Sequence, residues 1–91
     1  MKRDERMTKT EKILSDERYK QFEKERIIRL REKEQYSLAV SLEQYLKHLT
    51  RKFSELYLSF YHENNTALKK ECVDLANLAM MVYLHVEGFR E

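Results

Sequence analysis

The chain has 91 residues, and its 18 Lys and Arg nearly balance its 16 Asp and Glu, giving a net charge of +2. This balance gives no indication of a nucleic acid or an anionic membrane as the partner, so we expect at most weak, salt-sensitive binding to nucleic acid. One Gly and no Pro leave little material for tight turns or phosphate-binding loops, and the sequence therefore predicts an all-α protein.

The single Cys excludes an internal disulfide and suits a reducing compartment. The charged N-terminus lacks the apolar core of a signal peptide, and no apolar run approaches the ~20 residues of a membrane span. We therefore expect a cytoplasmic protein with no membrane association.

The chain begins with a charged tail, predicted over residues 1–14, ahead of a single helical domain over residues 15–91. Thr8 and Glu11 have the spacing of a capping box, in which each residue bonds the backbone N–H of the other. This spacing predicts that a helix begins near Lys9.

Ser15 or Asp16 is an alternative cap for this first helix, which is predicted to reach about Lys33. Its charges alternate and its apolar residues are few, so the simplest interpretation is a solvated helix with one face on the rest of the protein. The alternative is an arm that binds a partner through a basic edge. That edge consists of Arg26, Arg29, Arg31 and Lys33.

The second predicted helix runs from Leu38 to about His62, with Ser37 as its cap. Its apolar residues recur at intervals of three and four, the pattern of a helix that packs along its whole length. This stripe contains Leu38, Leu42, Tyr45, Leu49, Phe53, Leu56 and Phe60. The opposite face is polar and is predicted to be solvated. It carries His48, Arg51, Lys52, Glu55, Ser59 and His62.

Residues 63–66 are predicted to form a turn, because Asn64 and Asn65 tolerate left-handed backbone conformations. Asn65 or Thr66 is the expected cap of the third helix, and Gly88 is its expected end. So short a link makes the second and third helices an antiparallel hairpin.

The third helix is apolar on nearly every side, which is typical of a central helix. One stripe contains Leu68, Cys72, Leu75, Ala79, Val82 and Val86. Cys72 is accordingly predicted to be a small hydrophobic residue of the core. Because the first helix has too few apolar residues to cover the third, we expect a second copy to complete a four-helix core, as a dimer or tetramer. The predicted interface contains Leu75, Ala79, Met80, Val82 and Val86.

Two acids lie within this apolar helix. Glu71 is about 40° from Leu75 and therefore inside the stripe, and Asp74 lies on its edge. Carboxylates are rarely buried unless they are paired, protonated or bound to a cation. Residues three apart share one helix face, so Glu71 and Asp74 can reach one hard cation such as Mg²⁺.

The segment ECVDLANLAMM, residues 71–81, resembles the all-α nucleotide pyrophosphohydrolases of the MazG-like superfamily, which carry an ExxD motif on a core helix. The resemblance implies Mg²⁺ held by Glu71 and Asp74, hydrolysis of nucleoside triphosphates to monophosphate and pyrophosphate, and assembly into dimers or tetramers. These proteins carry an EExxE motif on an earlier helix. Here the best register places Ser54, Glu55 and Leu58 on its acidic positions. Only Glu55 matches, as a third ligand, and it is predicted to point to solvent.

Two functions follow from the sequence. The first is a reduced MazG-like protein with Mg²⁺-dependent nucleotide hydrolysis. The second is a non-catalytic interaction module that binds protein or nucleic acid through its charged first helix. If the acids are structural instead, they are expected to pair with Lys or Arg from the first helix or from a second copy.

Overall fold

The computed structural model describes residues 8–32 and 41–89, and over these residues it contains helices and no strands. The helices are α1 (Lys9–Ser15), α2 (Glu17–Glu32), α3 (Leu42–Tyr61) and α4 (Asn65–Val86). The all-α prediction is confirmed, although the described part of the chain has four helices where three were predicted. The predictions for Lys33, Ser37 and Leu38 lie outside the described residues.

A break at Asp16 separates α1 from α2. The capping box is formed as predicted, with the Thr8 hydroxyl accepting from the Glu11 N–H at 3.1 Å and the Glu11 carboxylate accepting from the Thr8 N–H at 3.0 Å. Asp16 has an extended backbone, ends α1 and accepts from the backbone N–H of Arg18 at 2.7 Å. Its hydrogen bonds from Arg18 lower the pKa of Asp16 to about 2. Helix α1 lies almost entirely within residues 1–14, which were predicted to be a charged tail.

Helices α3 and α4 form the predicted hairpin, linked by residues 62–64. Tyr45 near the start of α3 meets His85 near the end of α4, with ring centroids 6.3 Å apart, as an antiparallel pair requires. The turn differs in detail from the prediction. Glu63 takes the left-handed conformation (φ 55°), and Asn64 caps α4 by accepting from the Ala67 N–H at 3.0 Å. The cap is therefore one residue earlier than expected.

The core is small and centres on α4, which packs against α3 on one side and α2 on another. Its buried hydrophobic residues are Tyr45, Val73, Leu78 and Met81. Leu49, Met80 and Val82 pack around them and are partly buried.

Within one copy, part of the apolar stripe predicted on α4 is exposed. Cys72 is exposed, so its prediction as a core residue is wrong. Ala79 is also exposed, and Val86 is 67% exposed. Leu78, fully buried, lies about 120° round the helix from Cys72. The helix presents this side inward because Asp74 and Asn77, which lie on it, are buried with polar partners. The spacing of apolar residues gives no information about these polar contacts.

Candidate functional site

The most buried charged group in the described structure is the carboxylate of Asp74 on α4, with a side chain only 2% exposed. Arg29 of α2 approaches it with both arms of its guanidinium. Nε lies 2.9 Å from Oδ1 and Nη2 lies 3.4 Å from Oδ2. A two-point contact of this kind fixes the orientation of both side chains as well as their distance.

Lys52 of α3 approaches the same carboxylate from the other side. Its Nζ lies 3.7 Å from Asp74 Oδ2, 3.7 Å from Glu71 Oε1 and 3.4 Å from Glu55 Oε1. One ammonium group, on a side chain 20% exposed, is thus shared by three carboxylates. We call Arg29, Lys52, Glu55, Glu71 and Asp74 the Lys52 cluster; it joins α2, α3 and α4.

The two glutamates of the Lys52 cluster shift each other's pKa in opposite directions. Burial raises the pKa of Glu71 above its ordinary value of 4.5, and its hydrogen bond to Glu55 raises it further, while Lys52 opposes the shift. The same hydrogen bond is the main cause that lowers the pKa of Glu55. Burial and contact with Glu55 thus both favour the protonated form of Glu71.

A second polar layer joins α2 to α4 one turn further along. Asn77, completely buried, donates from Nδ2 to the backbone carbonyl of Arg26 at 3.0 Å and accepts from Arg26 Nη1 at 3.3 Å. The Nε of Arg26 also donates to Glu23 at 2.7 Å, and Tyr19 donates to Glu23 at 3.2 Å. Within residues 8–32 and 41–89, every buried side-chain nitrogen and oxygen has a hydrogen-bond partner.

The structure brings together the three acids that the sequence proposed as metal ligands, Glu55, Glu71 and Asp74. Glu55, predicted to point to solvent, has a side chain that is 42% exposed, but its carboxyl also meets Glu71. Lys52, predicted on the solvated face, also lies between the helices. Sequence reasoning missed its role, although Lys52 and Glu55 are three residues apart and hence on one face of α3.

The proposed basic edge is divided by the fold. Arg26 and Arg29 turn towards α4 and contact Asn77 and Asp74, as described above. Arg31 is exposed, and Lys33 lies outside the described residues. The described arginines therefore do not form one outward-facing basic edge.

The contacts within the Lys52 cluster are those of an ion-pair network. In the described part of the chain, no group of three or more His, Cys, Asp and Glu side chains has the arrangement of a metal site. The three carboxylates instead surround an ammonium group, and their charge is offset by Arg29 and Lys52. The Lys52 cluster thus links side chains of α2, α3 and α4.

A second candidate site is apolar and lies on the outside of the hairpin. Two rows of residues run along it with identical spacings of seven, four and three. The row on α3 contains Leu46, Phe53, Tyr57 and Phe60, and the row on α4 contains Cys72, Ala79, Tyr83 and Val86. All eight residues are exposed, and together they form what we call the open face.

The two rows of the open face lie on the same side of the hairpin, opposite α2. On α4, Asn77 faces α2, Glu71 faces α3 about 120° further round, and Ala79 lies about 80° beyond Glu71 in the same direction. On α3, Phe53 lies about 100° beyond Lys52, which faces α4. On each helix, the row of the open face is thus offset in the same rotational sense from the side that faces the other helix. Because the two helices are antiparallel, both rows lie on one side of the hairpin. Helix α2 covers the other side.

Comparison of the chain with protein-family models, curated proteins and solved structures finds no match to any of them. The similarity to the MazG-like superfamily therefore stays a resemblance carried by residues 71–81. Across the described residues, no helix combines the length and the apolar composition needed to cross a bilayer.

Proposed function

We propose that this chain is a non-catalytic helical interaction module that binds a protein partner through the open face of the α3–α4 hairpin. The observation that supports it is the exposure of large apolar side chains in two continuous rows. Phe53 is 58% exposed, Phe60 64% and Tyr83 65%. Single exposed apolar residues are ordinary, whereas a continuous apolar surface of this kind marks a site of contact.

The composition of the open face also fits a binding surface. Phe and Tyr are enriched at the centres of protein interfaces, where charged residues are depleted. None of the eight residues of the open face is charged. The proposed partner surface is thus the hairpin, rather than the basic edge that the sequence indicated on the first helix.

The non-catalytic part of the proposal rests on the Lys52 cluster. The acids that the resemblance assigns to Mg²⁺ are within ion-pair distance of Lys52, and Asp74 is also held by Arg29. Replacing these partners by a metal would require Lys52 to leave a position with three acceptors. The cluster satisfies its acids internally, as a structural network does.

The proposal is tested by placing a photo-crosslinking amino acid in the full chain, in the cells that express it. At position 57, in place of Tyr57 on the open face, we expect crosslinks to protein. At position 24, in place of the exposed Lys24 on α2, we expect few. Equal yields at the two positions would contradict the proposed surface, and metal-dependent release of pyrophosphate by the purified chain would contradict the non-catalytic role.

A second candidate is Mg²⁺-dependent hydrolysis of nucleoside triphosphates to monophosphate and pyrophosphate. The convergence of Glu55, Glu71 and Asp74 on one point favours it, because carboxylate oxygens are the ligands that Mg²⁺ prefers. These three residues would hold the metal only if Lys52 moved out. The test is the melting temperature of the wild-type protein with and without millimolar Mg²⁺. A ligand of the folded state raises it, and a flat response refutes this candidate.

A further inference from the structure

We infer that the partner on the open face is a second copy of this chain, so that two α3–α4 hairpins form a four-helix core with the two α2 helices outside. This inference rests on the proposed function, since it names the occupant of the same surface. A twofold interface must be self-complementary, because each copy presents the same patch to the other. The open face meets that requirement in shape, in charge and in area.

The shape of the open face alternates large and small side chains. In the half near the turn, α3 contributes the rings of Phe53, Tyr57 and Phe60, while α4 contributes the small Cys72 there and the small Ala79 just beyond its middle. Two such faces can interdigitate, with the aromatic residues on α3 of one copy packed against the small residues on α4 of the other. Packing large residues against small ones is how helical layers reach the density of a protein interior.

The charge of the open face favours self-association over binding to a charged partner. A twofold axis relates every group to an identical one, so a charged residue near the axis meets its own sign. Thr50 and Ala76, which complete the heptad spacing of the two rows, are uncharged like the eight others. Pairing two copies therefore brings no like charges together within the rows.

The area of the open face matches that of a stable dimer. With roughly 200 Å² for a fully exposed aromatic side chain, its large side chains expose on the order of 700 Å² per copy. These are Leu46 (45% exposed), Phe53 (58%), Tyr57 (56%), Phe60 (64%), Tyr83 (65%) and Val86 (67%). A standard protein interface buries about 800 Å² per partner.

The small core of one copy supports the same conclusion. Four hydrophobic residues are buried among those described: Tyr45, Val73, Leu78 and Met81. Domains of this size bury a modest fraction of their surface, and oligomerisation is one of the usual ways in which they gain stability. Covering the open face would enclose α4 on its third side.

The test is the mass of the full chain by sedimentation equilibrium between about 1 and 100 µM, which detects a dimer with a Kd in the micromolar range or below. We expect twice the chain mass of 11.2 kDa. Tyr83→Glu and Phe53→Glu should each weaken the dimer by about 30-fold or more, the scale of an interface hot spot. Ile28→Glu is the matched control, since Ile28 is 45% exposed but lies on α2. It should leave the dimer unchanged.

Circular dichroism separates dissociation from unfolding in these variants. If both open-face variants unfold, subunit exchange between two wild-type pools labelled at their N-terminal amines still decides the question. Energy transfer on mixing is expected. A wild-type chain that stays monomeric at 100 µM and shows no exchange would overturn the inference. Crosslinks from position 57 to a different protein would then still support the proposed interaction module. Conversely, metal-dependent pyrophosphate release would refute the proposed function and leave a measured dimer intact.

Discussion

Replacing Asp74 by Asn tests the central role of the Lys52 cluster. The substitution keeps the size of the side chain and removes the negative charge that lies 2.9 Å from the guanidinium of Arg29. Lys52 loses one of three acceptors. Since Arg29 is 23% exposed and Lys52 20%, water can restore only part of the lost interaction.

The expected cost is large for a chain of this size. Breaking a buried ion pair by removing one partner typically costs about 3–5 kcal/mol. At roughly 0.05–0.15 kcal/mol per residue, a chain of 91 residues has a free energy of unfolding of about 5–14 kcal/mol. Asp74→Asn should therefore remove about a fifth or more of the stability, and lower the melting temperature by more than about 10 °C.

Urea unfolding followed by circular dichroism at pH 7 measures this loss. Glu43→Gln is the matched control, because Glu43 is also an acid in an ion pair, 3.9 Å from Lys47, but is 78% exposed. Exposed pairs contribute little, so we expect a change below about 0.5 kcal/mol for the control. The double variant Arg29→Met/Asp74→Leu should lose less than the sum of its single variants, because it removes both charges together.

The opposite result would refute the reasoning. If Asp74→Asn is as stable as the wild type or more stable, the carboxylates repel one another more than Arg29 and Lys52 attract them. Carboxylates of an empty metal site repel one another in this way, so that neutralising one of them stabilises the protein. Together with a rise in the wild-type melting temperature on adding Mg²⁺, that result would favour the hydrolase candidate.

Three further predictions concern single residues. Because the pKa of Glu71 is raised above 4.5, the folded state holds this proton more tightly than the unfolded chain, and the free energy of unfolding should fall as pH rises from 4.5 through the folded pKa. Glu71→Gln should abolish that fall in urea titrations between pH 4 and 8; an unchanged profile would contradict the shift. Cys72, exposed in one copy, should react slowly with a maleimide in the wild type and faster in Tyr83→Glu, and equal rates would argue against a covered open face. Gly88→Ala should destabilise by about 1 kcal/mol in thermal melts, because Gly88 has φ +84° and a Cβ would meet no other atom within 4 Å, so the cost is that of the backbone alone. A neutral substitution would show that the helix end relaxes.

The sequence by itself determined the features that depend on near neighbours. The box formed by Thr8 and Glu11, the start of α1 at Lys9 and the end of α4 before Gly88 were predictable, because each involves residues within four positions of one another. The all-α class was predictable for a similar reason, since one Gly and no Pro leave few ways to build turns. The spacing also predicted an apolar stripe on each helix of the hairpin, but not the two rows of the open face.

Only the tertiary structure decided which side of α4 faces inward. A helix that is apolar nearly all round has no single preferred side, so its rotation depends on the few polar residues that must find partners. Asp74 finds Arg29, 45 positions away, and Asn77 finds Arg26, 51 positions away. The same rotation places Cys72 outside. Polar residues so distant in sequence pair only after the helices have packed together. The spacing of apolar residues therefore does not predict these pairs.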